Sequence, residues 1–349
     1  MSQTTKANLK KHIFSVLRIA VAILAMYFVA RGQDWGKTWE IFRGLNLGIL
    51  ALAIVLLFFN QTLVATRWYL LLRLQTIDIG LLSAIKLTFV GFFYNNFLPS
   101  SVGGDVLRAW YVTKHTPKRL EAVLSVFIDR LIGLIGIFLS ALLAYMLFSK
   151  ADSQQALTFS AKTNWSEYLT QYQWLIMTAV AVVAAIFVIA VLLPKTRQLL
   201  MLGCVYAMTT GRHLLVKVSK SAFLYCCRPI WMLVFLAMTL FCQTLFIFGL
   251  FLVGQELGIT VGFAYYLICI PFSWVVGMLP ISIGGVGVME GGLVFLFVHL
   301  AGISSEKAFA LALCQRFALL AVSLPGMFIH IAGAHVPEEF SIDSEAGIN

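Results

Sequence analysis

Stretches of about 20 mostly apolar residues recur along the chain, at 13–30, 47–66, 122–148, 174–193, 229–253 and 308–331. At 1.5 Å per residue each is long enough, as a helix, to cross the roughly 30 Å hydrocarbon layer of a bilayer. There is no water in that layer to take up backbone N–H and C=O groups, so a spanning segment must be a helix or part of a closed barrel. Uninterrupted apolar runs of this length predict helices. Composition agrees: 60 % of the residues are apolar, 11 % are charged, and mean hydropathy is +0.92, against about 45–50 % and about 25 % in a soluble domain. These values exclude a disordered chain, a nucleic-acid-binding domain and an ordinary cytosolic enzyme. The expected fold class is all-α, a polytopic membrane protein with about six spanning helices.

Lys6, Lys10 and Lys11 precede the first run, and Phe28 spoils a small-x-small cleavage site before Arg31. It reads as a retained span rather than a signal peptide. The net charge of +10 fits cytoplasmic loops and anionic headgroups in such a chain. Cys204, Cys226, Cys227, Cys242, Cys269 and Cys314 show no C-x-x-C or Cys/His spacing. They read as reduced, buried fillers, with neither disulfide nor zinc expected. No metal, cofactor or nucleic-acid partner is expected.

Two further apolar stretches, around 84–104 and 263–301, are interrupted by Pro and Gly. With the amino terminus inside, the second span returns the chain to the cytoplasm near Arg67 and Arg73. The segment 87–104 follows, and then a loop with Arg108, Lys114, Lys118 and Arg119. Both flanks are basic, so the positive-inside rule places both in the cytoplasm and makes 87–104 re-entrant. By the same rule the charge-balanced loop 149–173 lies outside. The stretch 194–229, with Lys195, Arg197, Arg212, Lys217, Lys220, Arg228 and no acid, lies inside. Within it Leu214, Leu215, Val218 and Ala222 recur at helical spacing, which suits either an amphipathic helix on the inner leaflet or a loop helix against the protein. Both termini are then cytoplasmic, in the inner membrane. The expected organisation is a tail at 1–12, one transmembrane domain at 13–332 with repeat halves at about 13–150 and 174–332, and an acidic tail at 333–349.

The interrupted stretches share a string. Leu98-Pro99-Ser100-Ser101-Val102-Gly103-Gly104 and Leu279-Pro280-Ile281-Ser282-Ile283-Gly284-Gly285 both read L-P-x-S-[VI]-G-G, 181 residues apart. Paired Pro/Gly-broken segments at matching points of two halves are the sequence signature of a transporter binding site built on an inverted repeat of re-entrant hairpins. Pro breaks the helix, and Gly-Gly permits tight or left-handed turns. A helix restarting after such a break points free N–H groups at an anion, and Ser101 and Ser282 are placed to cap it or to add a hydroxyl. A packing kink without a ligand is the alternative.

Charges inside apolar segments are functional candidates by default, with a structural ion pair as the rival. They are Asp129 and Arg130 in the third run, Glu290 after Gly284, Gly285 and Gly287, and Arg316 in the last run. Asp105 and Arg108 follow the first break, where an Arg can hold a phosphate. Asn95 and Asn96 precede it, as caps or headgroup contacts. Gly287-x-x-x-Gly291 reads as a packing motif within the molecule.

At these residues the chain resembles the membrane region of lysylphosphatidylglycerol synthases, shared with stand-alone flippase-like integral membrane proteins. Asn96-Phe97-Leu98-Pro99, Gly103-Gly104-Asp105, Arg108, Asp129-Arg130-Leu131, Leu279-Pro280, Gly284-Gly285-Val286-Gly287 and Glu290 carry the resemblance. Met289 stands where family members often have Arg. The resemblance implies translocation of lipids with modified heads. No counterpart of the soluble transferase domain of two-domain relatives is expected, the longest inside loop being too short for one, and synthase activity is not expected. The expectation is a lipid flippase for an anionic or aminoacylated phospholipid or other lipid-linked headgroup, moving it downhill or with ions, and Glu290 is the candidate proton carrier. A membrane-embedded transferase using a lipid-linked donor is one alternative, although Asp105, Asp129 and Glu290 are scattered over several segments. A non-catalytic partner of a separate lipid-modifying synthase is the other.

Overall fold

A computed structural model of the chain describes residues 20, 22–31, 33–97, 103–114, 116–151, 229–278 and 282–333. These residues are helical with short connections and contain no strand. They belong to one compact unit drawn from both ends of the chain. The predicted span 174–193, the basic stretch 194–228, the acidic tail and the motif residues Pro99, Ser101 and Pro280 lie outside the described residues.

In chain order the helices are α1 Ala22–Arg31, α2 Trp35–Arg43, α3 Leu47–Leu74, α4 Leu81–Phe97, α5 Gly103–Lys114, α6 Arg119–Ala151, α7 Pro229–Glu256, α8 Phe263–Gly277, α9 Val288–Ala301 and α10 Ser305–Ile331. Polar side chains start them where the sequence offers one. Asp34 accepts from the N–H groups of Gly36 and Lys37 before α2, and Asn46 accepts from Gly48 N–H at 2.9 Å before α3, satisfying donors that have no partner within a helix. Gly302, left-handed at φ 66°, closes α9.

Among the described residues, five stretches are long and apolar enough to cross a membrane: Leu47–Leu74, Arg119–Ala144, Ile230–Glu256, Ile283–Ala301 and Ser305–Ile331. The fourth joins a one-turn 3-10 helix, Ile283–Gly285, which contains the non-helical Gly284, to α9 through Val286 and Gly287. Their outer faces stay apolar: Leu47, Val55 and Phe59 on α3, Ile230 and Leu233 on α7, and Phe328 and Ile331 on α10 are all exposed. So much apolar surface is stable in hydrocarbon and unfavourable in water. The chain is an integral membrane protein.

One boundary differs from expectation. The second span does not end at Thr66, before Arg67. Instead α3 continues to Leu74 and buries Arg67 to 5 % exposure. Trp68, Leu71 and Leu72 beyond it are fully buried, so the apolar face continues past the charge and carries it inward.

Glycines set the close contacts. Gly249 of α7 lies against Ala53 and Leu57 of α3. Within the first broken segment, Gly104 of α5 abuts the Gly91 carbonyl of α4 so closely that a Cβ would overlap it. The chain before α4 and the chain after α5 also come together, since Lys118 Nζ reaches the carbonyls of Gln75 and Thr76 at 3.4 Å. Helices α8 and α9 pair in the same antiparallel way: Gly277 meets Met289, and the Tyr266 and Phe297 rings lie 5.0 Å apart. The two pairs touch where they break, with Gly284 packed on the backbone of Asn96. Gly287 and Gly291 seat α9 on Ala25, Met26 and Val29 of α1, which makes the G-x-x-x-G an intramolecular packing motif.

Candidate functional site

Beside the first break, a cavity of about 230 Å³ opens among α3 to α8. Asp105 stands in the first turn of α5 and Arg108 one turn later, both buried. Asp129 and Arg130 come from the middle of α6, and Arg67 from α3. All five line the cavity. Arg67 places Nε at 3.0 Å and Nη2 at 2.8 Å from Asp129 Oδ1, and its Nη1 donates to Thr239 Oγ1 at 2.5 Å. Arg108 Nη2 lies 3.3 Å from both Asp105 Oδ1 and Asp129 Oδ2, and its guanidinium sits 4.4 Å over the Trp68 ring. Arg130, its own side chain half-exposed, meets Asp105 Oδ2 at 2.5 Å.

Each of the four carboxylate oxygens therefore faces a guanidinium, and three positive groups stand against two negative ones. In a buried setting such a network persists because removing one partner strands a desolvated charge. Some hydrogen-bonding capacity is left over. Arg108 Nε, Asp105 Oδ2, Asn60 Oδ1 and Gln243 Oε1 are buried without a hydrogen-bond partner, Asp105 Oδ2 having only its ion pair with Arg130, and all four residues line the cavity.

The second break holds a smaller cluster. Gly284, Gly285 and Gly287 take φ of 55°, 71° and 80°, the left-handed region that favours glycine. Glu290 lies in the first turn of α9, where its Oε2 accepts from Gly287 N–H at 2.7 Å. Its Oε1 is bonded to Arg316 Nε of α10, and Arg316 Nη1 donates to the Gly284 carbonyl at 3.0 Å. Arg316 thus supplies the cationic partner that Met289 does not. Ser282 does not cap: it precedes the 3-10 turn with no side-chain cap bond, and its buried Oγ has no hydrogen-bond partner. In both halves the acid that follows the break pairs with an Arg of the next long helix, Asp105 with Arg130 and Glu290 with Arg316.

Of the residues expected from sequence, Asn95, Asp105, Arg108, Asp129 and Arg130 converge on the cavity. Ser282, Gly284, Gly285, Gly287, Glu290 and Arg316 gather at the second break. Asn95 acts as a cap, accepting from Gly104 N–H at 2.8 Å, while Asn96 donates to the Phe92 carbonyl and gives its backbone to the contact with Gly284. Gly103 begins α5. Asp105 and Asp129, far apart in sequence, share Arg108, so these two acids are not scattered. Sequence reasoning missed Arg67, Asn60, Thr239 and Gln243. Asn60, Thr239 and Gln243 are polar residues inside apolar runs, which is the signal that would have found them, whereas Arg67 directly follows the run 47–66. A second cavity of about 270 Å³, which includes Phe28, Val294, Phe295 and Val298 in its lining, has no Asp, Glu, Lys or Arg there.

Residues 15–326 match the family described as the lysylphosphatidylglycerol synthase TM region, and the chain belongs to that family. No curated protein matches it.

Proposed function

We propose that this member of the lysylphosphatidylglycerol synthase transmembrane-region family moves a lipid with an anionic or aminoacylated headgroup between the leaflets of the cell's inner membrane. One observation carries the reading. Two broken helix pairs, from opposite halves of the chain, meet at Asn96 and Gly284 beside a charged, buried cavity, within helices whose outer faces suit lipid. Polar groups at that depth are costly unless they serve a pathway or a structural pair, and the unpartnered Arg108 Nε, Asn60 Oδ1 and Gln243 Oε1 exceed what pairing alone needs.

In this reading α4–α5 is a re-entrant hairpin entering from the cytoplasmic side and α8–α9 its inverted counterpart from outside. The headgroup passes the cavity between them while the acyl tails stay in lipid. Both termini are cytoplasmic. The nearness of Asp105 and Asp129 favours one other reading, a transferase with paired carboxylates, but every oxygen of the pair already faces an Arg, which leaves no free base.

Purified protein in liposomes with lipid labelled in one leaflet tests the proposal. Movement of unaltered lipid supports it, and chemical conversion of the lipid would favour the transferase. Neither outcome would leave the role of partner to a separate lipid-modifying synthase.

A further inference from the structure

Given that lipid headgroups pass this cavity, as proposed above, we infer that the site takes the phosphate of an anionic, hydroxyl-bearing headgroup and discriminates against headgroups that carry an ammonium group.

The count of charges leads there. Arg67, Arg108 and Arg130 face Asp105 and Asp129, so the closed network keeps one positive charge in excess. A bound monoanion brings the local sum to zero, a zwitterionic head leaves it at one, and a head with two ammonium groups raises it to two beside the buried Arg67 and Arg108. Geometry makes the same choice. An ammonium seeks carboxylate oxygens, and each of the four in the cavity already lies within 3.3 Å of a guanidinium nitrogen, Asp105 Oδ2 through its ion pair with Arg130 alone. At the second break Glu290 is likewise taken, by Arg316 and by Gly287 N–H. Among the described residues, every carboxylate oxygen at the two breaks has an Arg or backbone N–H beside it, so a cationic head would have to displace one.

The unused groups match an anion with hydroxyls. Arg108 is 5 % exposed and lines the cavity, and its Nε–H has no acceptor. A phosphate oxygen would take that donor as a charge-assisted hydrogen bond. Asn60 Oδ1 and Gln243 Oε1 are neutral acceptors without donors, suited to the O–H groups of a glycerol or sugar head. A cavity of about 230 Å³ is smaller than the roughly 300–1,000 Å³ of drug-sized pockets and suits a headgroup without its tails.

The test uses the purified full chain in detergent, with thermal stability followed as short-chain lipid is added. The probes are dioctanoyl phosphatidylglycerol, dioctanoyl lysylphosphatidylglycerol and dioctanoyl phosphatidylcholine. Phosphatidylglycerol is expected to raise Tm and to bind at least about tenfold more tightly than either of the others, a margin of about 1.4 kcal/mol. Arg108→Lys, which keeps the charge and loses the Nε–H, should remove that margin. If Arg108→Lys does not fold, Gln243→Leu leaves every charge paired and should weaken phosphatidylglycerol binding several-fold. Lysylphosphatidylglycerol binding equal to or tighter than phosphatidylglycerol overturns the inference, as does a margin that survives the folded variants. The transport reading fails separately. Intact phosphatidylglycerol binding with no lipid movement in liposomes would remove transport and leave the binding preference standing. Faster movement of lysylphosphatidylglycerol would keep transport and remove the preference.

Discussion

The backbone of Asn96, at the end of α4, packs against Gly284, which lies more than half the chain away and holds a left-handed φ of 55°. A Cβ on Gly284 would overlap the Asn96 carbonyl. Left-handed geometry in a residue other than glycine costs about 1–3 kcal/mol, and the overlap adds to that. Three Gly→Ala variants should therefore rank in order. Gly133→Ala meets open space within a helix and should be neutral or slightly stabilising. Gly302→Ala also meets open space but at φ 66°, and should lower stability by about 1 kcal/mol. Gly284→Ala should cost most and should also slow lipid movement. Thermal unfolding in detergent gives the ranking, and equal losses at all three positions would remove the role assigned to the contact.

Glu290 and Arg316 form the buried ion pair that sequence left open as the rival to a proton role. Glu290→Gln strands the Arg316 charge and should destabilise the protein by about 3–5 kcal/mol. The double variant Glu290→Gln/Arg316→Gln should recover part of that loss. Liposomes with an imposed pH gradient complete the measurement. Unchanged stability together with a lost gradient response in Glu290→Gln would restore Glu290 as proton carrier and reject the pair as its main role.

Arg67→Gln should behave like a central residue of the site. It removes two nitrogens from Asp129 Oδ1 and one donor from Thr239. Asp129 then keeps only Arg108, at 3.3 Å, and stability should fall by about 3–5 kcal/mol. Lys places a single point charge where the Arg fork makes several directed bonds, so Arg67→Lys should recover less than half of the loss. Full recovery by Lys would mean that charge alone matters at this position.

The helical fold was legible because apolar length and backbone pairing leave few alternatives in lipid, and four of the six expected crossing runs, 47–66, 122–148, 229–253 and 308–331, are long apolar helices, while a fifth such stretch, Ile283–Ala301, comes from a segment expected to be broken. The acids and arginines following the two breaks were legible for the same reason, since charge inside an apolar run is rare. The partners were not. Nothing local in the sequence says that Arg67 meets Asp129 across 62 residues, or that Arg316 rather than a neighbour of Glu290 closes the second pair. Those choices depend on which helix faces pack, and Gly91, Gly104 and Gly326 decide that by permitting backbone approach. The repeat was read from its Pro and Gly, yet the glycines of its two copies differ: Gly103 and Gly104 are helical within α5, whereas Gly284 and Gly285 are left-handed in a 3-10 turn ahead of α9.

The last prediction concerns which side of the membrane the first hairpin enters from. Helix α3 has 28 residues, about 42 Å at 1.5 Å per residue, which is enough to cross the hydrocarbon. Its first residues follow α2, whose end of the molecule is marked by the Gln33–Ser305 hydrogen bond at 2.8 Å. Its last residues lead to Asp78, which is exposed and paired with Arg73. Lys118, just past α5, holds the carbonyls of Gln75 and Thr76, and Leu72, Ile77 and Val112 share one buried cluster. The chain entering α4 and the chain leaving α5 therefore lie at the same end, with Lys37 at the other end of α3. Single cysteines replacing Asp78 and Lys114 should both react with an impermeant thiol reagent from the cytoplasmic side only. A cysteine replacing Lys37 should react only from outside. Asp78 and Lys114 labelled from opposite sides would make α4 and α5 together a crossing segment and would remove the re-entrant hairpin from the proposed pathway.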